Sequence, residues 1–338
     1  MSVATIKDVA RHAGVSTATV SRVINNSGFV RPDTVQKVLS AIEEIQYVPN
    51  ITARNLKNDS SSIIAFLISN ISNTHFTIMA KTIDSILRNA GYSLMVSSTD
   101  DDPKTEIEQL KRMQSLNVQG IILNTTGRND KLVAELSEKI PMVLVDRSVS
   151  SLEFRGDFVG SNGYSGVYDI TEHLIDRGHR RIAIISSDLS TSTGRERLAG
   201  FSAAMKKIGV TVDDHYIYNF NSGHFNEEGG IRGCEYLMEL EEPRTAIVVS
   251  NNDMAIGVYK YLARHNYRIP QDVSVASFGN ISNSDLFKVQ PTFATLNPMF
   301  IGEKAANLIL SRISNPAVGA REVIFEPLMV IKDSTRSL

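Results

Sequence analysis

The sequence predicts a small all-α head containing a helix-turn-helix, followed by an α/β body of two doubly wound lobes with parallel sheets. Three observations indicate this fold: helical periodicity near the N-terminus, a strand–helix alternation that starts twice after residue 61, and a length of 338 residues, more than one small core needs. The expected units are the head, a hinge or linker, and the body, at residues 1–49, 50–60 and 61–338. We expect lobe 1 to span about 61–160 plus 292–321 and lobe 2 about 161–291 plus 322–338.

Composition indicates an ordinary globular chain, with 42% hydrophobic and 21% charged residues. A single cysteine, Cys234, excludes an intramolecular disulfide framework and fits a reducing compartment. The N-terminus lacks the pattern of a secretion signal, and no apolar run approaches the ~20 residues that span a bilayer. We therefore expect a cytoplasmic protein without membrane association. The net charge is −2, but residues 1–57 carry three more positive than negative charges.

The head begins with a helix that Thr5 and Asp8 can cap reciprocally. Gly14 can adopt a positive φ and end that helix, Val15 can enter the core, and Ser16 can cap the next helix. This is the spacing of two helices joined by a three-residue turn.

The second helix, about Thr17 to Asn25, buries Val20 and leaves an outward face rich in hydroxyl groups, with Arg22 as its one charge. A third helix follows Pro32 and ends before residues 47–49. A small helical bundle without a ligand is the alternative. Because a merely solvated helix face more often carries Glu and Lys, the outward face favours contact with bases and phosphates of DNA.

The body alternates apolar strand-like runs with helical patterns. The predicted strands are 63–68, 92–98, 120–124 and 142–146, then 181–186, 216–219, 246–251 and 273–278. Helix-like stretches lie near 76–90, 103–117 and 129–139. Open parallel sheets bind ligands beyond the carboxyl ends of their strands, so polar residues just after these strands are candidate ligand contacts.

Four segments carry a family resemblance: ATIKDVA at 4–10, GVS at 14–16, TVSRVIN at 19–25 and YVPN at 47–50. They closely resemble the lactose/purine-repressor (LacI-type) family of transcriptional regulators, and the similarity extends over essentially the whole chain. The resemblance implies a DNA-binding head and a body like that of periplasmic sugar-binding proteins, which binds an effector between its lobes.

The resemblance also implies the DNA contacts. The second helix would lie in the major groove, with Thr17 and Ala18 choosing bases and Arg22 bidentate to guanine. A hinge helix over residues 50–58 would fold when two copies meet on DNA, with Leu56 wedged into the minor groove; an ordinary linker leucine is the alternative. The full set of expected DNA-binding residues is Thr5, Ser16, Thr17, Ala18, Thr19, Ser21, Arg22, Asn25, Tyr47, Ala53, Arg54 and Leu56.

The expected effector-binding residues follow predicted strands and mostly match cleft positions of the family. They are His75, Phe76, Asp146, Arg147, Ser161, Asn162, Thr193, Arg195, Arg197, Phe225, Asn252, Asp253, Gly279 and Asn280. Several have structural alternatives. His75 could be an interface residue, Phe76 and Phe225 could be core, Asp253 could cap a helix, and Arg147 and Arg195 could be solvated charges.

Two positions bear on the chemistry of the effector. Many sugar-responsive relatives carry Asp where this sequence has Ser161 and Gly279. The sequence lacks these two carboxylates but retains three nearby arginines, Arg147, Arg195 and Arg197. This combination favours an anionic ligand. We therefore expect a carbohydrate effector, with a phosphorylated sugar or sugar acid favoured over a neutral sugar.

The resemblance implies a homodimer on a palindromic operator, since half-sites repeat on DNA. Effector-driven release from DNA is the commoner behaviour in the family, while corepression and control by a protein partner stay open. A solute-binding protein would share the body but not the head. No dinucleotide, phosphate-loop, metalloprotease or hydrolase motif occurs, so we expect no enzyme activity, no cofactor and no metal.

Overall fold

A computed structural model describes residues 4–24, 27–47, 61–210, 212, 214–219, 226–242, 244–295 and 297–338. The chain forms two compact units that divide after Ser61. The predicted fold class, an all-α head and a two-lobed α/β body, is confirmed.

The described part of the head contains the helices α1 (Ile6–Ala13), α2 (Thr17–Ile24) and α3 (Pro32–Glu44). Asp8 accepts hydrogen bonds from the backbone N–H and hydroxyl of Thr5, at 2.9 and 2.6 Å. These bonds hold the pKa of Asp8 below its usual range. Gly14 ends α1 with φ +65°, and Ser16 accepts from the backbone N–H of Thr19 at the start of α2. The core of the head consists of Val9, Ala10, Val20, Val38 and Ala41.

The body contains two six-stranded sheets with helices on both faces. The first sheet has the order β11-β5-β4-β3-β1-β2 and is parallel throughout. Its strands are β1 (Ile63–Ile68), β2 (Ser93–Ser98), β3 (Gly120–Leu123), β4 (Met142–Val145), β5 (Asp157–Ser161) and β11 (Glu322–Phe325). Its helices are α4 (Thr74–Asn89), α5 (Pro103–Ser115), α6 (Asp130–Ser137) and α11 (Pro298–Ser314).

The second sheet has the order β12-β10-β9-β8-β6-β7. Its strands are β6 (Ile182–Ser186), β7 (Ile217–Asn219), β8 (Ala246–Val249), β9 (Ser274–Phe278), β10 (Thr292–Thr295) and β12 (Leu328–Val330). Its helices are α7 (Gly163–Asp176), α8 (Ser192–Lys207), α9 (Glu227–Met238) and α10 (Asn252–Arg264). Contrary to the expectation of fully parallel sheets, β12 pairs antiparallel with β10.

Alternating side chains on the strands fill a separate core on each face of a sheet. On β1, Ile64, Phe66 and Ile68 pack toward α4 and α11, whereas Ala65 and Leu67 pack on the opposite face. Burial on both faces explains why β1 is a continuous apolar run.

The lobe boundaries expected from the sequence need correction at two strands. Residues 292–295 form β10, which extends the second sheet by pairing with β9, and residues 322–325 form β11, which extends the first sheet by pairing with β5. The expected boundaries had placed each of them in the other lobe. The backbone N–H and C=O groups of β10 and β11 pair with the edges of β9 and β5, respectively. The chain therefore passes to the other lobe after each of these two strands and not before it.

Candidate functional site

A cavity of about 410 Å³ lies between the lobes, where strands of both sheets end. Both lobes contribute to its walls. The first lobe supplies Ser69, Asn70, Asn73, His75, Phe76, Asp100, Asp101, Asn124, Asp146 and Arg147, and the second supplies Ser187, Thr193, Arg197, Asn226, Asn251 and Asn252. This is the position expected for ligands of doubly wound sheets.

One ion pair and one hydrogen-bonded His–Asp pair occupy the charged groups of the first-lobe wall. Arg147 donates to both carboxylate oxygens of Asp101 and, at 3.1 Å, to the carbonyl of Thr125. His75 Nε2 lies 2.8 Å from Asp146 Oδ2. Burial alone would raise the pKa of Asp146, but His75, together with the nearby charges of Arg197 and Arg147, outweighs it and leaves that pKa below its usual range. Arg147 is therefore not a free cation for an anionic ligand.

Arg197 differs from the other cavity cation. It is 8% exposed, its guanidinium stacks 4.3 Å from the ring centre of Phe278, and Nη1 donates to the carbonyl of Ser250 at 2.8 Å. Its Nε has no hydrogen-bond partner, and no carboxylate among the described residues forms an ion pair with it. Burial lowers the pKa of Arg197 to about 10, although the Asp146 charge opposes this shift. Among the described residues of the cavity wall, Arg197 is thus the buried cation that a ligand can neutralise.

Three asparagines on the cavity wall cap helices that begin there. Asn73 caps α4, Asn226 caps α9 and Asn251 caps α10, each accepting a backbone N–H of its helix. Thr193 lies in the first turn of α8. Four helix N-termini, with their partial positive charges, therefore meet at the cavity.

Backbone strain is concentrated on the first-lobe side of the cavity. Asp100, Asp101 and Asp146 adopt φ values of +52°, +54° and +59°, the left-handed region that non-glycine residues seldom occupy. This conformation turns the carboxylates of Asp101 and Asp146 toward their Arg147 and His75 partners. Such strain is common at functional sites.

The predicted effector residues divide into two groups. Seven line the cavity: His75, Phe76, Asp146, Arg147, Thr193, Arg197 and Asn252. Six others do not, and one, Phe225, lies outside the described residues. The six are Ser161, Asn162, Arg195, Asp253, Gly279 and Asn280.

The six residues outside the lining have local roles or surface positions. Ser161 ends β5 and Asn162 caps α7, where it also donates to Glu326. Arg195 donates to the carbonyls of Leu189 and Ser190, and Asn280 is exposed.

Asp253 and Gly279 both adjoin Asn252. Burial raises the pKa of Asp253 to about 6, although His75 opposes the shift. Gly279 has φ +94°, and a Cβ there would lie 3.3 Å from Asn252 Cβ.

Nine lining residues are outside the effector-binding set expected from the sequence, although two of them, Asn73 and Asn251, lie in post-strand segments that the sequence rule selects. The nine are Ser69, Asn70, Asn73, Asp100, Asp101, Asn124, Ser187, Asn226 and Asn251. Most directly follow a strand or cap the next helix, so the rule of looking just after each strand could have found them with more exact strand ends.

The head presents part of the predicted DNA-binding face. Ser16, Thr17, Ala18 and Arg22 are exposed, as is Thr5 at the cap of α1. Thr19 and Ser21 are half-buried, and Tyr47 packs against the head core. The remaining predicted contacts, Asn25, Ala53, Arg54 and Leu56, lie outside the described residues.

A helix-turn-helix head joined to a two-lobed body with a polar cavity is the architecture of a DNA-binding regulator with a ligand-binding domain. Residues 5–50 match the family described as bacterial regulatory proteins, lacI family, and residues 171–335 match the periplasmic binding protein-like domain. The chain belongs to the lacI family of bacterial regulatory proteins and is a DNA-binding transcriptional repressor.

Relatives support this assignment over the full length. The chain is 31% identical over 340 residues to the HTH-type transcriptional repressor PurR of Haemophilus influenzae (strain PittEE), covering 99% of each. It is 31% identical over 337 residues to the ribose operon repressor of Haemophilus influenzae (strain ATCC 51907), again covering 99% of each. The fold is similar to that of the lac repressor dimer bound to operator and anti-inducer, with a TM-score of 0.85 at 23% identity, covering 99% of this chain and 100% of that one.

The described residues contain neither a candidate membrane span nor a candidate metal cluster. No helix among them has both the length and the apolar composition that crossing a membrane requires. Within the same part of the chain, no three His, Cys, Asp or Glu side chains are grouped so that they could hold a metal ion.

Proposed function

We propose that this repressor binds a palindromic operator as a homodimer and is released when a carbohydrate or carbohydrate-derived effector occupies the interlobe cavity. The observation that carries the proposal is that both lobes line one polar cavity. A ligand that contacts both lobes has different affinities for their open and closed arrangements, which is the condition for shifting an equilibrium. Typical coupling energies of ~1–3 kcal/mol correspond to ~5–150-fold changes in DNA affinity.

The cavity chemistry suits a polyhydroxylated ligand. Its wall combines amides, hydroxyls and carboxylates, which accept from and donate to sugar hydroxyls. Asn124 is buried and its Oδ1 has no hydrogen-bond partner, so this oxygen can accept from a ligand. Phe76 offers an apolar ring beside these groups. The ribose operon repressor among the relatives supports a carbohydrate, whereas the PurR relatives make a purine the comparison to test.

An acidic group on the effector would find its partner in Arg197. Of the three arginines expected from the sequence to favour an anion, Arg147 is paired and Arg195 is outside the cavity wall. Arg197 and the four helix N-termini therefore support an anionic group on the effector. A charge-assisted bond to a buried guanidinium is worth ~1.5–3 kcal/mol. We propose that a sugar acid or sugar phosphate binds more tightly than the neutral sugar of the same skeleton.

Calorimetry with matched ligands tests the effector class. The panel pairs glucose with gluconate, glucuronate and glucose 6-phosphate, and ribose with ribose 5-phosphate, and adds hypoxanthine as the purine. We expect an anionic carbohydrate to bind at least 10-fold more tightly than its neutral partner, and Arg197→Gln to abolish that difference. Arg195→Gln is the matched control, two residues along the same helix but outside the cavity wall. Tight binding of neutral sugars alone would overturn the anionic preference, and tight binding of hypoxanthine alone would overturn the carbohydrate.

Selection of duplexes from a random pool by the full-length protein tests the DNA function. The expected product is a palindrome whose half-sites are one helical turn or a multiple of it apart. Selected sites without twofold symmetry would contradict the proposed dimer.

A further inference from the structure

Outside the cavity wall, a charged pair joins the two lobes. Arg128 follows β3 in the first lobe and Asp188 follows β6 in the second. Arg128 Nη2 forms an ion pair with Asp188 Oδ2, and Arg128 Nε donates to Ser190 Oγ at 3.3 Å. Neither Arg128 nor Asp188 lines the cavity, but Ser187 and Asn124, one and four residues away, do.

The second-lobe end of this pair is fixed to the helix that carries Arg197. Asp188 is 8% exposed, and its Oδ1 accepts the backbone N–H of Ser190 at 2.8 Å. Its carbonyl accepts the hydroxyl of Thr191 and lies so close to Gly194 that a Cβ there would approach it to 2.1 Å. The Asp188 turn and the start of α8 therefore move together.

The first-lobe end is braced as well. Glu106, fully buried on α5, accepts the backbone N–H of Thr126 and, at 3.0 Å, the side-chain amide of Asn129. Gly127, at φ +72°, brings the backbone against lobe 2, because a Cβ there would lie 3.1 Å from the carbonyl of Ser190. A rigid loop in each lobe thus meets the other at the ion pair.

We infer that Arg128 and Asp188 form an interlobe latch that holds the closed arrangement and so sets effector response without touching the effector. Asp188 is a buried carboxylate whose ionic partner in the described residues is in the other lobe, so opening the lobes leaves it without a counter-ion. Arg128 remains 42% exposed, which makes the latch sensitive to salt. Arg128 and Asp188 are positioning residues for the proposed effector response.

Distance measurement between the lobes tests the latch without effector or DNA. Spin labels are placed on the full-length chain at Lys131→Cys in lobe 1 and Lys206→Cys in lobe 2, both exposed positions, while the native Cys234 is fully buried. Labelled chain is mixed with excess unlabelled chain so that one subunit per oligomer is measured. Asp188→Asn and Arg128→Gln should each lower the ratio of closed to open distances about fivefold. The double variant should lower it no further, because either change already removes the pair.

Salt and a second ion pair provide the controls. Raising KCl from about 50 to about 500 mM should open the wild-type chain but leave Arg128→Gln unchanged, since screening acts on the pair. Arg268→Gln removes an ion pair to Asp272 that lies within lobe 2 and should leave the distances unchanged. Superimposable distances in the wild type and both latch variants, or an equal effect of Arg268→Gln, would overturn the inference. Because the readout needs no ligand, failure of the proposed effector class would not affect it.

Discussion

Asp157→Asn is expected to destabilise the body by about 3 kcal/mol. Asp157 begins β5 and is fully buried. Its carboxylate accepts from Nη2 and Nε of Arg312 on α11, at 2.6 and 3.1 Å, and from Nη2, Nε and the backbone N–H of Arg321, at 2.8, 3.2 and 2.8 Å. One carboxylate therefore joins the first sheet to the helix that packs on it and to the segment before β11.

The size of this loss in stability follows from how deeply Asp157 and its two arginine partners are buried. Removing one partner of a buried ion pair costs ~3–5 kcal/mol. Asparagine keeps one acceptor oxygen, and Arg321 is one-third exposed and can be solvated, so the lower end applies. For a domain of this size that corresponds to a fall of roughly 6–12 °C in Tm.

The pH dependence gives a second measurement. Burial raises the pKa of Asp157, but the bonds from Arg321 and Arg312 outweigh it, so the folded pKa lies below the ordinary value near 3.8. A carboxyl of this kind stabilises the fold above its unfolded pKa, and the stability is lost as the pH falls through the folded pKa. The difference in the free energy of unfolding between wild type and Asp157→Asn should therefore have its full value at pH 7 and become smaller below about pH 4.

Urea unfolding followed by circular dichroism, at pH 7 and at acidic pH, measures both effects. Asp272→Asn is the control, since Asp272 pairs with Arg268 at the surface and its loss should change the midpoint little. A loss of less than about 1 kcal/mol in Asp157→Asn, or a loss that persists unchanged at acidic pH, would refute the reasoning.

Three further predictions concern the head, a helix contact and a half-buried carboxyl. Arg22→Ala, exposed on α2, should remove ~1–3 kcal/mol of discrimination at one base pair while leaving calorimetric effector binding intact; unchanged operator affinity would contradict its role. Gly230→Ala on α9 would place a Cβ 1.9 Å from the carbonyl of Met254, so urea unfolding should show a loss of about 2 kcal/mol or more, and wild-type stability would argue against this packing. Asp253, with a pKa raised to about 6, binds its proton more tightly in the folded than in the unfolded protein, so the protonated carboxyl stabilises the fold below about pH 4 and this stabilisation is lost as the pH rises through 6. Above about pH 6, Asp253→Asn should therefore be more stable than the wild type. Equal Tm values of the two proteins from about pH 4 to 8 would exclude this.

The fold was largely predictable because its signals are local. The periodicity of the head and the apolar runs of β1, β6 and β8 depend on neighbouring residues. The strands not predicted were β5, β10, β11 and β12. Two of these, β11 and β12, are short and pair with strands that are not their neighbours in sequence, and sequence periodicity carries no record of such pairing.

The candidate site was predictable in position but not in its charge state. Looking after each strand located His75, Asp146 and Arg197. It could not show that Asp101 would neutralise Arg147, since this pair spans 46 positions and depends on the left-handed turn at Asp101. Of the three arginines expected to favour an anion, only Arg197 both lines the cavity and lacks a carboxylate partner among the described residues.

The exchange of strands near the C-terminus has a practical consequence for dissecting this protein. Because β10 completes one sheet and β11 the other, with β12 returning three residues later, neither lobe is encoded by one uninterrupted stretch of the gene. A stop codon after residue 161 would yield a first sheet that lacks β11 and the covering helix α11. A fragment that starts after residue 161 would contain β11 and α11, but their apolar faces would have no sheet to pack against. Isolating either lobe requires splicing distant coding segments, and a protease nick between residues 295 and 298 should leave the two pieces associated.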